Sequence, residues 1–234
     1  MSGRVGSITT DIIEDGLVLN VDAANRTSYP AQRTFAIAES GSCYNTLNLS
    51  ISGSFISDPQ FITQPISASC WTFDGVDDYI PFTISSELDF TSQNEITVSG
   101  WVKGTQSALK CIASMWQPGP NKMWALYHDR ITIYLGSNII LHRTQASSTN
   151  WEQIVFTYSK SEGKLKYYVD AVSIETSNSN DLSYNSVSPL TIGSLTDNVL
   201  QLFLGDIANI HIYNRALSST EVLHNYNALK GRFS

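Results

Sequence analysis

Hydrophobic and polar residues alternate in short runs along most of this chain, and each run ends at a turn signal. Leu17–Asp22 alternates and reads as the first strand. Ile96, Val98, Gly100 and Val102 share one face of a later strand while Trp101 takes the other, which predicts cover on both faces. Ile131, Ile133 and Leu135 alternate with Thr132 and Tyr134 after an Asp129-Arg130 turn. Ile154, Phe156 and Tyr158 alternate with Val155 and Thr157 and run into the turn Ser161-Glu162-Gly163. Leu165, Tyr167 and Val169 alternate with Lys166, Tyr168 and Asp170, then an Asp170-Ala171 turn sends Val172–Glu175 back. Leu190–Gly193 and Gly205–Tyr213 complete the series. Short strands of period two with frequent turns predict an all-β sandwich or jelly roll of two antiparallel sheets.

One helix closes the chain. After a Tyr213-Asn214-Arg215 corner, Ser218 and Glu221 have capping-box spacing, and Leu217 can staple onto Val222. Val222, Tyr226 and Leu229 form its apolar stripe. Lys230 suits the negative end of the helix dipole, and Gly231 suits a left-handed residue beyond it. At the other end, residues 1–15 read as an exposed polar arm with one Ile12-Ile13 patch. Residues 25–70 read as a long decorated loop with one or two edge strands. The predicted organisation is an arm, 1–15, and one jelly-roll domain, 16–234.

Composition narrows the function. A single domain of 234 residues can bury roughly 70% of its unfolded surface. Only 14 residues are Lys or Arg, the formal net charge is −7, and no basic stripe exists, which excludes nucleic acid as a partner. No run reaches membrane-span length, and the N-terminus lacks the basic start and apolar run of a signal peptide. The product is therefore expected to fold in a cytoplasm, with later release as part of a particle left open. Cys43, Cys70 and Cys111 lack zinc spacing; Cys43 and Cys70 either bridge in an oxidising compartment or, the favoured reading, all three lie buried as small hydrophobes.

Five segments in order carry a family resemblance: Phe73-Asp-Gly-Val-Asp-Asp-Tyr-Ile80, Ile96-Thr-Val-Ser-Gly-Trp-Val102, Trp151-Glu-Gln-Ile-Val-Phe-Thr-Tyr158, Tyr168-Val-Asp170 and Ile212-Tyr-Asn-Arg-Ala-Leu-Ser218. The chain resembles laminin-G-like domains of the concanavalin A-like lectin/glucanase superfamily over roughly residues 16–230. The resemblance implies a two-sheet jelly roll, an architecture that binds more often than it cuts. The start Gly16–Asn25 with Ser28-Tyr29-Pro30, and the ending Tyr213–Ser218 with Asn225–Phe233, are also similar to laminin-G-like structural proteins of tailed bacteriophages, notably those of marine cyanobacteria. That narrower resemblance implies a decoration protein or adhesin on a virion, present in several copies. Its partners would be capsid, tail or fibre proteins, and host surface glycans.

This frame could carry three chemistries. Glycoside hydrolysis needs two carboxylates facing each other across a cleft. The Glu-x-Asp-x-x-Glu strand of the glucanase branch does not occur; Glu152 and Glu162 have no spaced partner, and Glu14-Asp15 lie in the arm. No Gly-x-Ser-x-Gly elbow occurs, and His128, His142, His211 and His224 lack helical zinc spacing. An enzyme is not expected. Asp74, Asp77 and Asp78 around Gly75 offer the hard oxygens calcium takes, or else form a turn held by backbone bonds. In metal-binding relatives an acid on the last strand joins that corner; here Ala208 stands at the expected acid, leaving Asp206 or Asn209 to substitute. For sugar binding the best candidate is Trp116 beside a Pro-Gly-Pro loop, as platform, core residue or self-assembly contact, with Trp124, His128, Asp129 and Arg130 nearby. Trp71, Trp101 and Trp151, inside strand patterns, are read as core.

The leading expectation is a non-enzymatic virion surface protein built on a lectin-like module. The alternative is a host-polysaccharide lectin that recognises the receptor, and a polysaccharide-active enzyme ranks third.

Overall fold

The computed structural model describes residues 12–30, 41–63, 68–91, 93–104, 110–116, 122–134, 138–142, 149–178, 188–196 and 200–233. The alternating segments pair into two antiparallel sheets, because strands with one apolar face must stack those faces together to exclude water. The larger sheet contains β1 (Leu17–Asp22), β4 (Gln60–Ile62), β5 (Cys70–Asp74), β7 (Glu95–Gly104), β12 (Glu152–Ser159), β13 (Lys164–Val169), β14 (Val172–Asn178) and β16 (Leu204–Tyr213). Its spatial order is β14-β13-β12-β7-β16-β5-β4, with β1 also paired to β16. The six-stranded sheet contains β6 (Ile80–Pro81), β8 (Cys111–Trp116), β9 (Lys122–Tyr127), β10 (Arg130–Tyr134), β11 (Asn138–His142) and β15 (Leu190–Ile192), in the order β11-β10-β9-β8-β15-β6. A ribbon of β2 (Ser42–Tyr44) and β3 (Ser52–Ser54) lies beside β6 through a bridge from Gly53 to Phe82. This is the antiparallel sandwich the alternation predicts.

The core forms where the two inner faces meet. Trp71, Phe73, Val98, Phe156, Ile210 and Ile212 of the larger sheet join Ile112, Trp124, Leu126, Ile131, Ile133 and Ile192 of the smaller one in one buried cluster. β16 divides one edge between two partners: Leu204–Ile207 pairs with β5 and Asn209–Tyr213 with β1. An irregularity between Ile207 and Asn209 in its pairing with β7 absorbs Ala208 as an extra residue. Asp170 and Ala171 both have positive φ, 50° and 63°, as a two-residue hairpin with right-handed strand twist requires.

The other face of the larger sheet is covered too. Helix α1 (Ser219–Leu229) and a 3-10 turn (Lys230–Arg232) lie over it, and Trp101 stacks against Phe233 at 4.3 Å and Tyr226 at 5.6 Å between ring centres. The capping box is complete: Ser218 Oγ accepts from Glu221 N and the Glu221 carboxylate accepts from Ser218 N. Leu217 and Val222 share a buried cluster with Tyr213. Gly231 departs from expectation, because Lys230 stays right-handed and the chain tightens into the 3-10 turn instead of reversing.

Further corrections concern the N-terminal half. Ile12 is buried against Trp101 and Leu229, and Ile13 N donates to Asn225 Oδ1, so the end of the expected arm is packed, not exposed. Residues 1–11 and Leu135 lie outside the described residues. Among the described residues the decorated loop contains three short strands, β2, β3 and β4. All three cysteines are buried free thiols, and burial pushes Cys43 and Cys70 up to about 12, leaving them protonated and inert. Among the described residues no helix is long and apolar enough to cross a membrane.

Candidate functional site

Two places were expected to carry chemistry. The first is the acid corner after β5. Gly75 turns the chain with φ +75°, and Asp74 Oδ1 accepts from Val76 N at 2.7 Å. Asp78, buried, accepts from Asp74 N through Oδ2 and from Asp58 N through Oδ1, both at 2.9 Å, and so fastens the turn to the segment leading into β4. Burial pushes the Asp78 carboxyl above the usual range, against the pull of those two N–H donors.

Asp74, Asp77 and Asp78 each present an oxygen within 4.8 Å of the others. Two ligands of one calcium ion lie at most about 5 Å apart, so the set fits a hard cation. Those three carboxylates would hold it in a groove of about 430 Å³ that Asp58, Gln60 and Thr72 also line. Asp58 Oδ1 is buried there without a partner among the described residues. Asp206 does not join them. It stands opposite Thr72, one pleat away from Asp74, and its carboxylate accepts the Thr72 hydroxyl at 2.6 Å.

The structural role of this corner is directly measurable. Asp78→Ala strands two backbone N–H groups and is expected to cost about 2–3 kcal/mol in chemical unfolding. Asp77→Ala, on an exposed carboxylate, should stay within about 0.5 kcal/mol. Equal effects would mean that Asp78 does not fasten the turn.

The second place is the outer face of the six-stranded sheet. Parity on β9 and β10 decides what reaches it: Leu126 pairs with Ile131 and Trp124 with Ile133 toward the core, whereas Ala125 pairs with Thr132 on the opposite face. Cys111, Ala125, Tyr127 and Leu195 form a separate apolar cluster there, with Trp116 half-buried at its edge. The Tyr127 hydroxyl donates to Gln201 Oε1 at 2.6 Å. Arg130 grips Asp129 through Nε and Nη2, the latter at 2.6 Å, and that bond holds the guanidinium above its usual pKa. The face thus combines a partly exposed indole with the partly exposed side chains of Gln201, Asp129 and Arg130, over a buried Tyr127.

The structure therefore divides the five expected sugar-contact residues. Trp116, Asp129 and Arg130 are accessible and lie on or beside this face. Trp124 is a correction: fully buried, it packs on Phe156 with ring centres 5.6 Å apart. His128 is another, since it is 2% exposed and its Nε2 meets Glu152 Oε2 at 2.9 Å between the sheets. Gln201 and Leu195 were missed, because they come from a loop whose position no local periodicity reveals. Trp71 and Trp101 are buried, as expected, and Trp151 is partly buried against Phe233.

Comparison with known proteins agrees with this architecture. The family model described as the concanavalin A-like lectin/glucanases superfamily (Laminin_G_3) matches residues 74–223, well over half of the chain. No curated protein matches. Among solved structures, the binding domain of Paraclostridial Mosquitocidal Protein 1 is similar with a TM-score of 0.67 at 13% identity, over 91% of this chain and 52% of that one. A structure of botulinum neurotoxin type C, which depends on interaction with two ganglioside molecules to get into cells, gives 0.66 at 13% identity, over 92% and 51%. The binding domain of botulinum neurotoxin DC in complex with rat synaptotagmin II gives 0.63 at 11%, over 92% and 52%. The chain spans about half the length of these structures, and identities this low establish a shared fold alone.

Proposed function

The chain belongs to the concanavalin A-like lectin/glucanases superfamily, and from that premise we propose that it is a non-enzymatic glycan-binding module. The observation that carries the proposal is Trp116, a half-buried indole on an outward sheet face beside Tyr127, Gln201 and the Asp129–Arg130 pair. An indole face takes the apolar face of a sugar ring, and the polar pairs bond its hydroxyls. Rigid strands hold these groups in place beforehand, which lowers the ordering cost of binding. The ganglioside dependence of the type C neurotoxin supports a carbohydrate ligand for this fold. A binding role is also supported by how three of the described glutamates are used: Glu152 bonds His128, Glu95 accepts from Ser159 and Ala216, and Glu221 caps α1.

The setting we propose is the surface of a tailed-phage particle, assembled in a host cytoplasm on capsid, tail or fibre proteins and facing host surface glycans. Its support is the sequence resemblance at the two ends of the domain. Immunogold labelling of purified particles tests it; unlabelled particles would leave a free lectin as the better account.

Trp116→Ala is expected to weaken glycan binding by about 30-fold, the worth of one anchoring aromatic, while leaving the thermal midpoint within a few degrees. Glycan-array screening followed by calorimetry on the best hit checks this. Undiminished affinity in the variant would move the ligand off this face.

A further inference from the structure

The covered face of the larger sheet is unusually polar for a buried surface. Strand register sets its residues in two adjacent rows. Asn20 stands opposite His211, and His211 opposite Ser99. In the next row Asp22 stands opposite Asn209, Asn209 opposite Trp101, and Trp101 opposite Gln153. None of these residues is more than 5% exposed.

At the margins of this face the polar groups are satisfied. Arg232 reaches Asp22 with both terminal nitrogens, Thr97 bonds Arg215 O and Leu217 N, and Asn225 donates to the Tyr213 hydroxyl. The middle is different. Asn20 Oδ1, Ser99 Oγ, Trp101 Nε1, Gln153 Oε1 and Nε2, Asn209 Nδ2 and His211 Nε2 are buried without a hydrogen-bond partner among the described residues. Folded proteins leave only a few buried polar atoms unpaired per hundred residues, and here seven fall on neighbouring cross-strand positions. The Trp71 and Trp124 indole nitrogens, also without a partner among the described residues, sit apart in the core between the sheets.

We propose that this seam, between the larger sheet and the C-terminal helix, is a built binding site for a cluster of ordered internal water. The chemistry of the orphan atoms selects the ligand. An anion would need donors alone and a cation acceptors alone, whereas this set mixes indole and amide N–H donors with amide oxygens and a hydroxyl. Formal charge is already balanced by Asp22 and Arg232. Directly opposed side chains on paired strands start about 5 Å apart, a span that one bridging water closes. The roof is then apolar where Trp101 meets Phe233 and Leu217 meets Val222, and hydrated between these two contacts.

A high-resolution crystal structure of the full chain is expected to show ordered waters within hydrogen-bond distance of Ser99, Gln153, Asn209 and His211. Gln153→Met, nearly isosteric, should lose at least one of them and lower the thermal midpoint by a few degrees, since the remaining waters lose two partners. Ser99→Ala, which adds no bulk, provides the same readout should Gln153→Met fail to fold. A dry seam with the side chains bonded to one another would overturn the proposal. So would a rise in thermal midpoint for Gln153→Met, because deleting an unhydrated, unpaired amide relieves a cost.

Discussion

Arg232→Met is expected to lower the unfolding free energy by about 3–5 kcal/mol, and the thermal midpoint by about 10 °C. The Arg232 side chain is 8% exposed and Asp22 fully buried, and the two meet through bonds of 2.6 and 2.9 Å. Removing the guanidinium strands a carboxylate in a place that water reaches poorly. The bond also joins the last turn of the chain to its first strand across 210 residues, so its loss should loosen the whole C-terminal roof. Asp22→Leu combined with Arg232→Met removes both charges and should recover most of the loss. A double variant as unstable as the sum of the singles would show that the pair acts through something other than its charges. Guanidinium-chloride melts of the four proteins decide between these outcomes.

This pair was not legible in the sequence, for a physical reason. Period-two alternation tells which residues share a face, and from Ile96 to Tyr213 it places most strands correctly. It cannot tell what covers a face. Asn20, Ser99, Asn209 and His211 look like solvent-facing positions of ordinary strands, and only Trp101 hints at a roof. The helix was readable through its cap, because Ser218 and Glu221 act locally. Its far end was not. Gly231 suggests a left-handed stop, yet a right-handed 3-10 turn holds Arg232 toward Asp22. β8 and β9 were missed because Cys111–Met115 and Met123–Tyr127 are buried on both faces, and the Pro-Gly-Pro sequence between them dominates the local pattern. Trp124 carries a usable signal in the sequence: its two-residue spacing from Leu126 puts both on the core side. The acid corner was legible as a cluster, while Asp206 failed because strand pairing sets it opposite Thr72.

The protein should also lose stability in mild acid through one histidine. Burial holds His211 at about 4, with Asp22 pulling it up and Arg232 pushing it down, against 6.5 for an exposed imidazole. Between these values the unfolded chain binds a proton that the folded chain refuses. Stability is therefore full above pH 6.5, falls as pH is lowered toward 4, and levels off for this group below that. The loss from His211 amounts to roughly 3 kcal/mol. Other groups act near the acid end. The raised Asp78 carboxyl works in the opposite sense, Glu221, held at about 2 chiefly by Arg215, adds its loss only below pH 4.5, and Asp89, lowered by its bonds from Thr91, adds its own only at still lower pH. The difference between wild type and His211→Gln, melted in urea at steps from pH 7 to pH 4, cancels these contributions. His211→Gln should show a much flatter profile across that window, and an unchanged slope would place the acid-sensitive group elsewhere. Arg232→Met couples the two predictions. Without the guanidinium, Asp22 faces His211 alone, so an imidazolium becomes the remaining cation able to balance it. The acid loss should then shrink even though the variant is less stable at neutral pH.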